Sequence, residues 1–320
     1  MAGVMRNEFT EAMKQTMYDW FFQKYVEIAP TYAQLFNVVP SNAAYEQYTV
    51  AVGLGDLLEK PEGDDLRADT PMEAWTVICK NRTFGRQVRF SYESVEDAQV
   101  VSNLLKSTVG TWSEAVDRTK DRWYCRMFNK GGVTTGNDIF NNTIPGVVTD
   151  SSGAMIYDGQ GFFGNSHPDK VGNTYDNLES STSLTHTNLK SAYTKYTYTN
   201  AYDERGNEIE NMPDVLVIRP DELFNARVIL ANTAIPGSFD NDINVLAAIV
   251  DLLVWPRLDT ANVWYLGRRK AGLMATDRQG PKMDFYQDET NKDFYATLFM
   301  RWGGCITDWR PWIGGNCSSS

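Results

Sequence analysis

An α+β fold is what this sequence predicts, and three observations carry the prediction. One amphipathic stretch, from about Ser94 to Asn129, is far longer than an ordinary globular helix. Short strand-like runs and helices follow it in mixed rather than alternating order, which disfavours a doubly wound parallel sheet. Two strand-like limbs, Tyr45–Val52 and Trp75–Lys80, flank an acidic stretch that contains Gly and Pro and reads as one long hairpin.

Residues 7–28 place Phe9, Met13, Met17, Trp20, Phe21, Tyr25 and Ile28 on one helical face. That face closes on a core, or lets Trp20 and Phe21 dock on a neighbouring subunit. Pro30 and Pro40 bracket an extended connection. Gln87–Phe90 is a third strand-like run, and residues 56–73 have little to bury. Residues 45–92 therefore predict a β-hairpin that projects from the body, and a two-stranded hairpin must lie on something to be stable in water. Its tip carries Glu59, Glu62, Asp64, Asp65 and Asp69, with Arg67 among them; its return limb carries Lys80, Arg82, Arg86 and Arg89. Opposite charges on tip and limb suit a head-to-tail contact between copies. A solvated loop with scattered charges is the plainer alternative.

The long helix has Ser94 as its cap and Asp97 completing a start of capping-box type. Ala98, Val101, Leu105, Val109, Trp112, Val116, Thr119, Trp123 and Met127 recur at steps of three and four. Asn129-Lys130-Gly131-Gly132 stops it with residues that tolerate the left-handed conformation. A rod of that length spans roughly 50 Å. Residues 134–184 are rich in turn formers and too long for a plain connector, so short strands and loops are expected there. A helix follows over 187–198, then a turn at 203–207. Asp214–Ile218 reads as a buried strand, ended by Pro220, with a helix over 222–231. Strands are expected at 245–254, 263–266 and 294–302. Trp302, Trp309 and Trp312 crowd the C-terminal run, for core closure first and subunit contact second.

The chain has 320 residues, 42% of them hydrophobic, enough for one large or two modest domains. A net charge of -11 argues against a broad face that grips nucleic acid phosphates. Cys79, Cys125, Cys305 and Cys317 are scattered without a CxxC pair, which predicts reduced thiols and neither a disulfide framework nor a zinc site. No secretory signal is visible, and the apolar run near Val245–Trp255 is too short to span a bilayer, so no membrane partner is expected.

Little in the chain suggests catalysis. His167 and His186 are the only histidines, and no GxSxG elbow, phosphate-binding loop or dinucleotide fingerprint accompanies them. Ser166 and His167 adjoin, but sequence neighbours do not point at each other productively. Local hydrogen bonding is the expected role of both histidines, and no cofactor or metal is implied. Arg268-Arg269-Lys270 is the one basic cluster, a candidate for contact with DNA phosphate or an acidic neighbour; a solvated turn is favoured.

Several segments, in order, carry a resemblance. Gly161-Phe162-Phe163-Gly164-Asn165-Ser166-His167-Pro168 is followed by Gly172-Asn173-Thr174-Tyr175-Asp176-Asn177. Asp214-Val215-Leu216-Val217-Ile218-Arg219-Pro220 leads into a helix, and Trp255-Pro256-Arg257-Leu258-Asp259 into Trp264-Tyr265-Leu266. From about Ala98 to Trp309 the chain resembles tailed-bacteriophage major capsid proteins of the Mu-like major head subunit family. The resemblance implies the Hong Kong 97 bacteriophage capsid fold: an N-terminal arm (1–44), an extended loop or E-loop (45–92), a P-domain with a long spine helix (93–148), an A-domain (149–275), and a C-terminal return into the P-domain (276–320).

It also implies a non-enzymatic subunit that builds pentamers and hexamers of an icosahedral shell around double-stranded DNA, held in the virion after assembly in the host cytoplasm. Lys60 is the only lysine near the loop tip, so non-covalent clamping is expected instead of isopeptide cross-links. No long charged helix precedes the arm; a separate scaffolding protein, a portal and a possible decoration protein are the implied partners, with DNA touched weakly. Contact residues expected between copies are Glu59, Glu62, Asp64, Asp65, Arg67, Arg82, Arg86, Arg89, Arg268, Arg269, Lys270, Trp20 and Phe21. The alternatives are an encapsulin-like cellular shell and a hydrolase using His167 with Ser166 or Asp169.

Overall fold

The computed structural model describes residues 15–23, 25, 30–52, 54–70, 72–91, 101–132, 156–232, 243–247, 249–291 and 293–317. A helix over residues 15–23 (α1) and a short turn of helix, Tyr32–Leu35 (α2), lead into strand β1 (Asn37–Pro40). Strands β2 (Tyr45–Val52) and β3 (Met72–Lys80) pair antiparallel as a two-stranded ribbon, with Tyr45 opposite Lys80 and Val50 opposite Trp75. Strand β4 (Arg82–Phe90) follows β3 after the single residue Asn81. The expected hairpin is therefore present, but β4 leaves it. It pairs instead with β12 (Phe294–Ile306), Gly85 facing Phe299, in a four-stranded sheet of order β1-β11-β12-β4.

Strand β11 (Leu273–Gln287) is the partner of β12 along almost its whole length, with register shifts between Asp277 and Lys282. It has no counterpart among the expected strands. Arg278, Gln279, Gly280 and Pro281 sit in its middle and break the alternation that marks a strand.

The long helix α3 runs Val101–Asn129, about 43 Å at 1.5 Å per residue. Its expected start at Ser94, Asp97 and Ala98 lies outside the described residues, as do the side chains of residues 101–109. From Trp112 onward the apolar stripe is real: Trp112, Val116, Trp123 and Met127 are buried, and so are Ser113, Asp117, Asp121, Tyr124 and Phe128 beside them. The glycine stop works differently from the expectation. Gly131 and Gly132 are not among the residues with positive φ. Gly131 is needed because a Cβ there would stand 2.5 Å from the Phe163 ring.

Past the long helix, β5 (His167–Pro168), β6 (Thr174–Tyr175) and β7 (Leu178–Glu179) are two-residue strands. Thr185 caps helix α4 (His186–Thr194) by accepting from the Asn188 N–H, and a π-helical turn extends it to Thr199. Strand β8 (Val215–Ile218) and helix α5 (Leu223–Ala231) match the strand–Pro–helix expectation. Strand β9 is only Asp251–Val254; residues 245–247 form a turn in which Leu246 is held by its N–H to Asn244 Oδ1. With β10 (Trp264–Gly267) and β13 (Trp312–Gly315) these make a second sheet, β7-β13-β10-β8-β9.

That five-stranded sheet is buried on both faces, and period-2 alternation divides its side chains. Val215, Val217, Tyr265 and Trp312 face a core shared with the long helix and the four-stranded sheet. Leu216, Ile218, Trp264, Leu266 and Ile313 face a second core made with α4 and α5. Trp302, Trp309 and Trp312 are all buried, so the C-terminal tryptophans close the core as expected.

The cysteine expectation is corrected: Cys79 on β3 and Cys305 on β12 form a disulfide, with Cα atoms 5.1 Å apart across a sequence separation of 226. Spacing along the chain could not reveal a pair that exists only because the hairpin root lies on β12. Cys125 and Cys317 are free and buried.

Candidate functional site

The feature that stands out from the packed body is the β2–β3 ribbon with its loop. Among the described residues of that loop, Leu54, Leu57, Leu58 and Leu66 are 63%, 101%, 62% and 81% exposed. Four exposed leucines in a short segment are unusual for a surface that faces only water. Asp56, Glu59, Glu62, Asp64, Asp65 and Asp69 surround them, against Lys60 and Arg67, so the loop is apolar and acidic together. Glu59, Glu62, Asp64, Asp65 and Arg67 are all exposed.

The ribbon lies on its own chain instead of projecting freely. Arg205 Nη1 donates to both Asp69 oxygens at 2.8 Å, its Nη2 donates to Thr70 O, and the Gly55 N–H donates to Asp69 Oδ2 at 2.7 Å. The Arg205 guanidinium holds the Asp69 carboxyl below its ordinary range, helped by the Gly55 N–H. Lys170 Nζ sits 3.4 Å from the Trp75 ring centre, and Tyr157 packs on the same ring. Asp203 shapes the turn that presents Arg205 by accepting from the N–H groups of Arg205 and Asn207.

At the root, Asn81 is buried and fully used. Its Nδ2 donates to Ser41 Oγ (2.7 Å) and Ala43 O (2.9 Å), and its Oδ1 accepts from Thr276 Oγ1 (2.7 Å). Ser41 Oγ in turn donates to Glu46 Oε1. Gly303 is required here, since a Cβ would stand 2.5 Å from Lys80 O. Cys79–Cys305 lies beside this network.

The return limb splits by role. Arg89 is bound to Asp293 through Nε and Nη2. Arg86 is exposed at the mouth of a cleft of about 260 Å³ between β4, β12 and the long helix, lined by Phe84, Trp112, Val116, Leu298 and Met300. Arg82 lies half-buried on the same strand. On the helix, Arg118, Arg122 and Arg126 are exposed one turn apart. Of the remaining expected contacts, Trp20 is exposed at 38% while Phe21 is wholly buried, stacked on Tyr25. Arg269 pairs with Asp251, Arg268 is exposed, and Lys270 takes a positive φ in the turn while its N–H bonds Leu35 O.

The seat of the N-terminal segment is a buried polar cluster. Asp121 accepts from the Tyr32 N–H and from Trp255 Nε1, and Lys120 pairs with Asp277. Asp117 is buried beside them with its Oδ2 unpartnered. Burial raises its pKa to about 6, with Asp121 adding to the rise and Lys120 opposing it.

His167 is a structural residue. Nδ1 meets Asp158 Oδ2 at 2.6 Å, Nε2 meets Asn177 Oδ1 at 3.1 Å, and the ring stacks on Trp309. Asn177 is locked in that orientation, its Nδ2 donating to Phe162 O and Trp312 O. His167 is fully buried while Ser166 is exposed, and Asp169 is spent on the N–H groups of Val171, Gly172 and Asn173. His186 bonds Asn244. The hydrolase geometry is absent among the described residues, which also hold no cluster able to bind a metal ion. No described helix is long and apolar enough to cross a membrane.

The family whose description is phage capsid protein matches residues 76–312, well over half of the chain. The chain belongs to the phage capsid protein family. Solved structures agree on the fold. The capsid structure of cyanophage P-SCSP1u has a TM-score of 0.55 at 12% identity, covering 91% of this chain and 89% of that one. Mycobacterium phage Patience gives 0.54 at 10% identity over 99% and 90%. The bacteriophage JBD30 capsid decorated with minor capsid protein trimers gives 0.53 at 14% identity over 72% and 92%. No curated protein matches the sequence. This capsid protein therefore has a Hong Kong 97-like fold and a structural, non-enzymatic role. Nothing in the local sequence of the capsid protein marks Arg205 as the partner of Asp69, or Cys305 as that of Cys79; each pair exists only after folding.

Proposed function

We propose that this phage capsid protein is the major head subunit of a tailed, double-stranded DNA phage, of the Mu-like type, and that its β2–β3 ribbon clamps a neighbouring copy. The observation that carries the reading is the family match over residues 76–312. On this reading residues 1–44 are the arm, 45–92 the E-loop, 93–148 with the long helix the P-domain, 149–275 the A-domain, and 276–320 the return. The sheet pairings modify the edges, since β4 joins the P-domain sheet and β13 the A-domain sheet.

The loop leucines supply apolar anchors, and the acidic residues around them supply steering. The receiving surface is the cleft of a second copy, apolar inside and cationic at Arg86, with Arg118 and Arg122 beside it. A heterologous contact of this kind closes into rings, which fits pentamers and hexamers. The JBD30 capsid that it resembles carries minor capsid protein trimers, so a decoration protein is a partner class for this chain too, beside scaffold and portal. A net charge of -11 keeps contact with packed DNA weak. Residence in the virion, after assembly in the host cytoplasm, follows from the role.

Sedimentation with negative-stain microscopy tests it, on the whole chain and on Leu57→Ser/Leu58→Ser/Leu66→Ser. Shells or capsomers from the first and free subunits from the second are expected. A wild-type chain that stays monomeric with scaffolding protein co-expressed overturns the shell reading; a triple variant that assembles normally overturns the clamp.

A further inference from the structure

The ribbon's root carries a chemical feature that neither the shell role nor the clamp requires. β2 and β3 form a sheet of their own, and among the described residues neither strand joins a ladder of the two larger sheets. Orientation of such a ribbon is set at its root, by the Asn81 network and by Cys79–Cys305. Cys79 faces Glu46 across the ribbon, and Cys305 faces Met274 across the P-domain sheet, so the bond ties one sheet to the other. Their Cα separation of 5.1 Å falls within the range a disulfide spans without backbone movement, about 4.4–6.8 Å. Bond formation therefore needs no new fold, only oxidation.

Access decides when that oxidation happens. Cys79 is 0% and Cys305 2% exposed, so no small thiol or disulfide reaches either sulfur while the root is closed. The remaining cysteines do not compete. Burial pushes the Cys317 thiol up to about 12 and the Cys125 thiol higher still, leaving both protonated and poor nucleophiles.

We propose that Cys79 and Cys305 are a redox-set staple: a dithiol while the root still opens to solvent, and, once oxidised in that open state, a disulfide that fixes the ribbon as the root closes over it. The oxidant is a low-molecular-weight disulfide. The thiolate of one cysteine attacks it, forming a mixed disulfide and expelling one thiolate, which takes up a proton. The second cysteine, as thiolate, attacks the protein sulfur of that mixed disulfide and expels the second. Two electrons pass from the protein to the oxidant, which leaves as two thiols. The effect on shells rests on the clamp reading, whereas the effect on the ribbon does not.

The test compares full-length protein refolded in dithiothreitol with protein refolded in oxidised glutathione, each alone and assembled. Thiol titration in denaturant is expected to give four thiols in the first and two in the second. Amide exchange of residues 72–80 in the free subunit should slow by at least about tenfold on oxidation. Cys79→Ser/Cys305→Ser should exchange at the reduced rate in both buffers. Assembled shells should resist denaturant better when oxidised. Four thiols after oxidative refolding, or exchange that ignores redox state, overturns the staple. Slowed exchange with unchanged shells leaves the staple standing and removes the clamp.

Discussion

Phe128 is the side chain whose loss the fold should feel most. It sits at the C-terminal end of the long helix, 1% exposed. Its ring lies 5.0 Å from Tyr265, 5.1 Å from Trp312, 5.5 Å from Trp255, 5.8 Å from Phe162, 6.1 Å from Phe163 and 6.4 Å from Phe36. All six fall within the separation at which aromatic pairs attract, and five are edge-on. A Phe→Ala change in a core costs about 3–5 kcal/mol. Phe128→Ala belongs at the upper end, near 5 kcal/mol, because the neighbours are buried rings held on the five-stranded sheet and in the segments packed against it, and cannot collapse into the void. The pairwise aromatic terms share one ring, so they are not added to that figure. Phe128→Leu refills part of the space and should cost about 1–2 kcal/mol. Urea unfolding of the unassembled subunit reads both, with Phe224→Ala, at a position 76% exposed, as the control within about 0.5 kcal/mol. A loss below about 2 kcal/mol for Phe128→Ala would refute the idea that this ring joins the helix to the five-stranded sheet.

Three further outcomes follow from the same geometry. Asp117 has a folded pKa of about 6 against an ordinary 3.8, so its protonated form favours folding; that stability is full below about pH 4 and lost as pH rises through 6. The rise corresponds to at most about 3 kcal/mol, which partial hydration reduces to about 1; Asp117→Asn should gain that at pH 7 and flatten stability between pH 4 and 6, as urea midpoints across pH will show. His167→Ala leaves the buried Asp158 carboxylate without its ring partner and should cost about 3 kcal/mol or more, measured by thermal unfolding. Arg205→Ala should return the Asp69 carboxyl towards its ordinary range and quicken amide exchange over residues 54–70, with little change in global stability; unchanged exchange would show that the latch does not hold the loop.

Legibility in the sequence followed how each element is buried. The long helix was legible because its buried face is wide and periodic from Trp112 to Phe128. β8 was legible because both faces are buried, leaving an unbroken Val-Leu-Val-Ile run. β11 was hidden by the opposite circumstance: its middle carries a bulge, Gly280 and Pro281, and half-exposed polar residues. Val245–Val250 read as strand from its apolar content, yet Leu246 and Val250 are buried from a turn organised by Asn244, whose Nδ2 bonds Ile229 O and Asn232 O. The loop charges were legible as letters, but their division was not. Arg89 is consumed by Asp293 and Asp69 by Arg205, while Arg86 and the remaining acids stay exposed.

That division bears on how one chain can be both rigid and able to assemble. The two cores enclose Trp264, Trp302, Trp309 and Trp312, and the glycines that admit such rings, Gly267 against Trp312 and Gly315 against Trp264, accept no side chain. A body packed so closely transmits load but cannot rearrange. Adjustment must then fall on parts held by polar contacts, which exchange with water at small net cost. The ribbon is such a part. Arg205–Asp69 is half-exposed and worth little in water, so contacts of similar quality on a neighbouring copy can replace it. The root is the reverse, with Asn81 fully bonded and Cys79 covalently tied. A bonded root and a polar, exchangeable latch at Arg205–Asp69 leave the ribbon's freedom to its loop, while the fold that carries it stays unchanged.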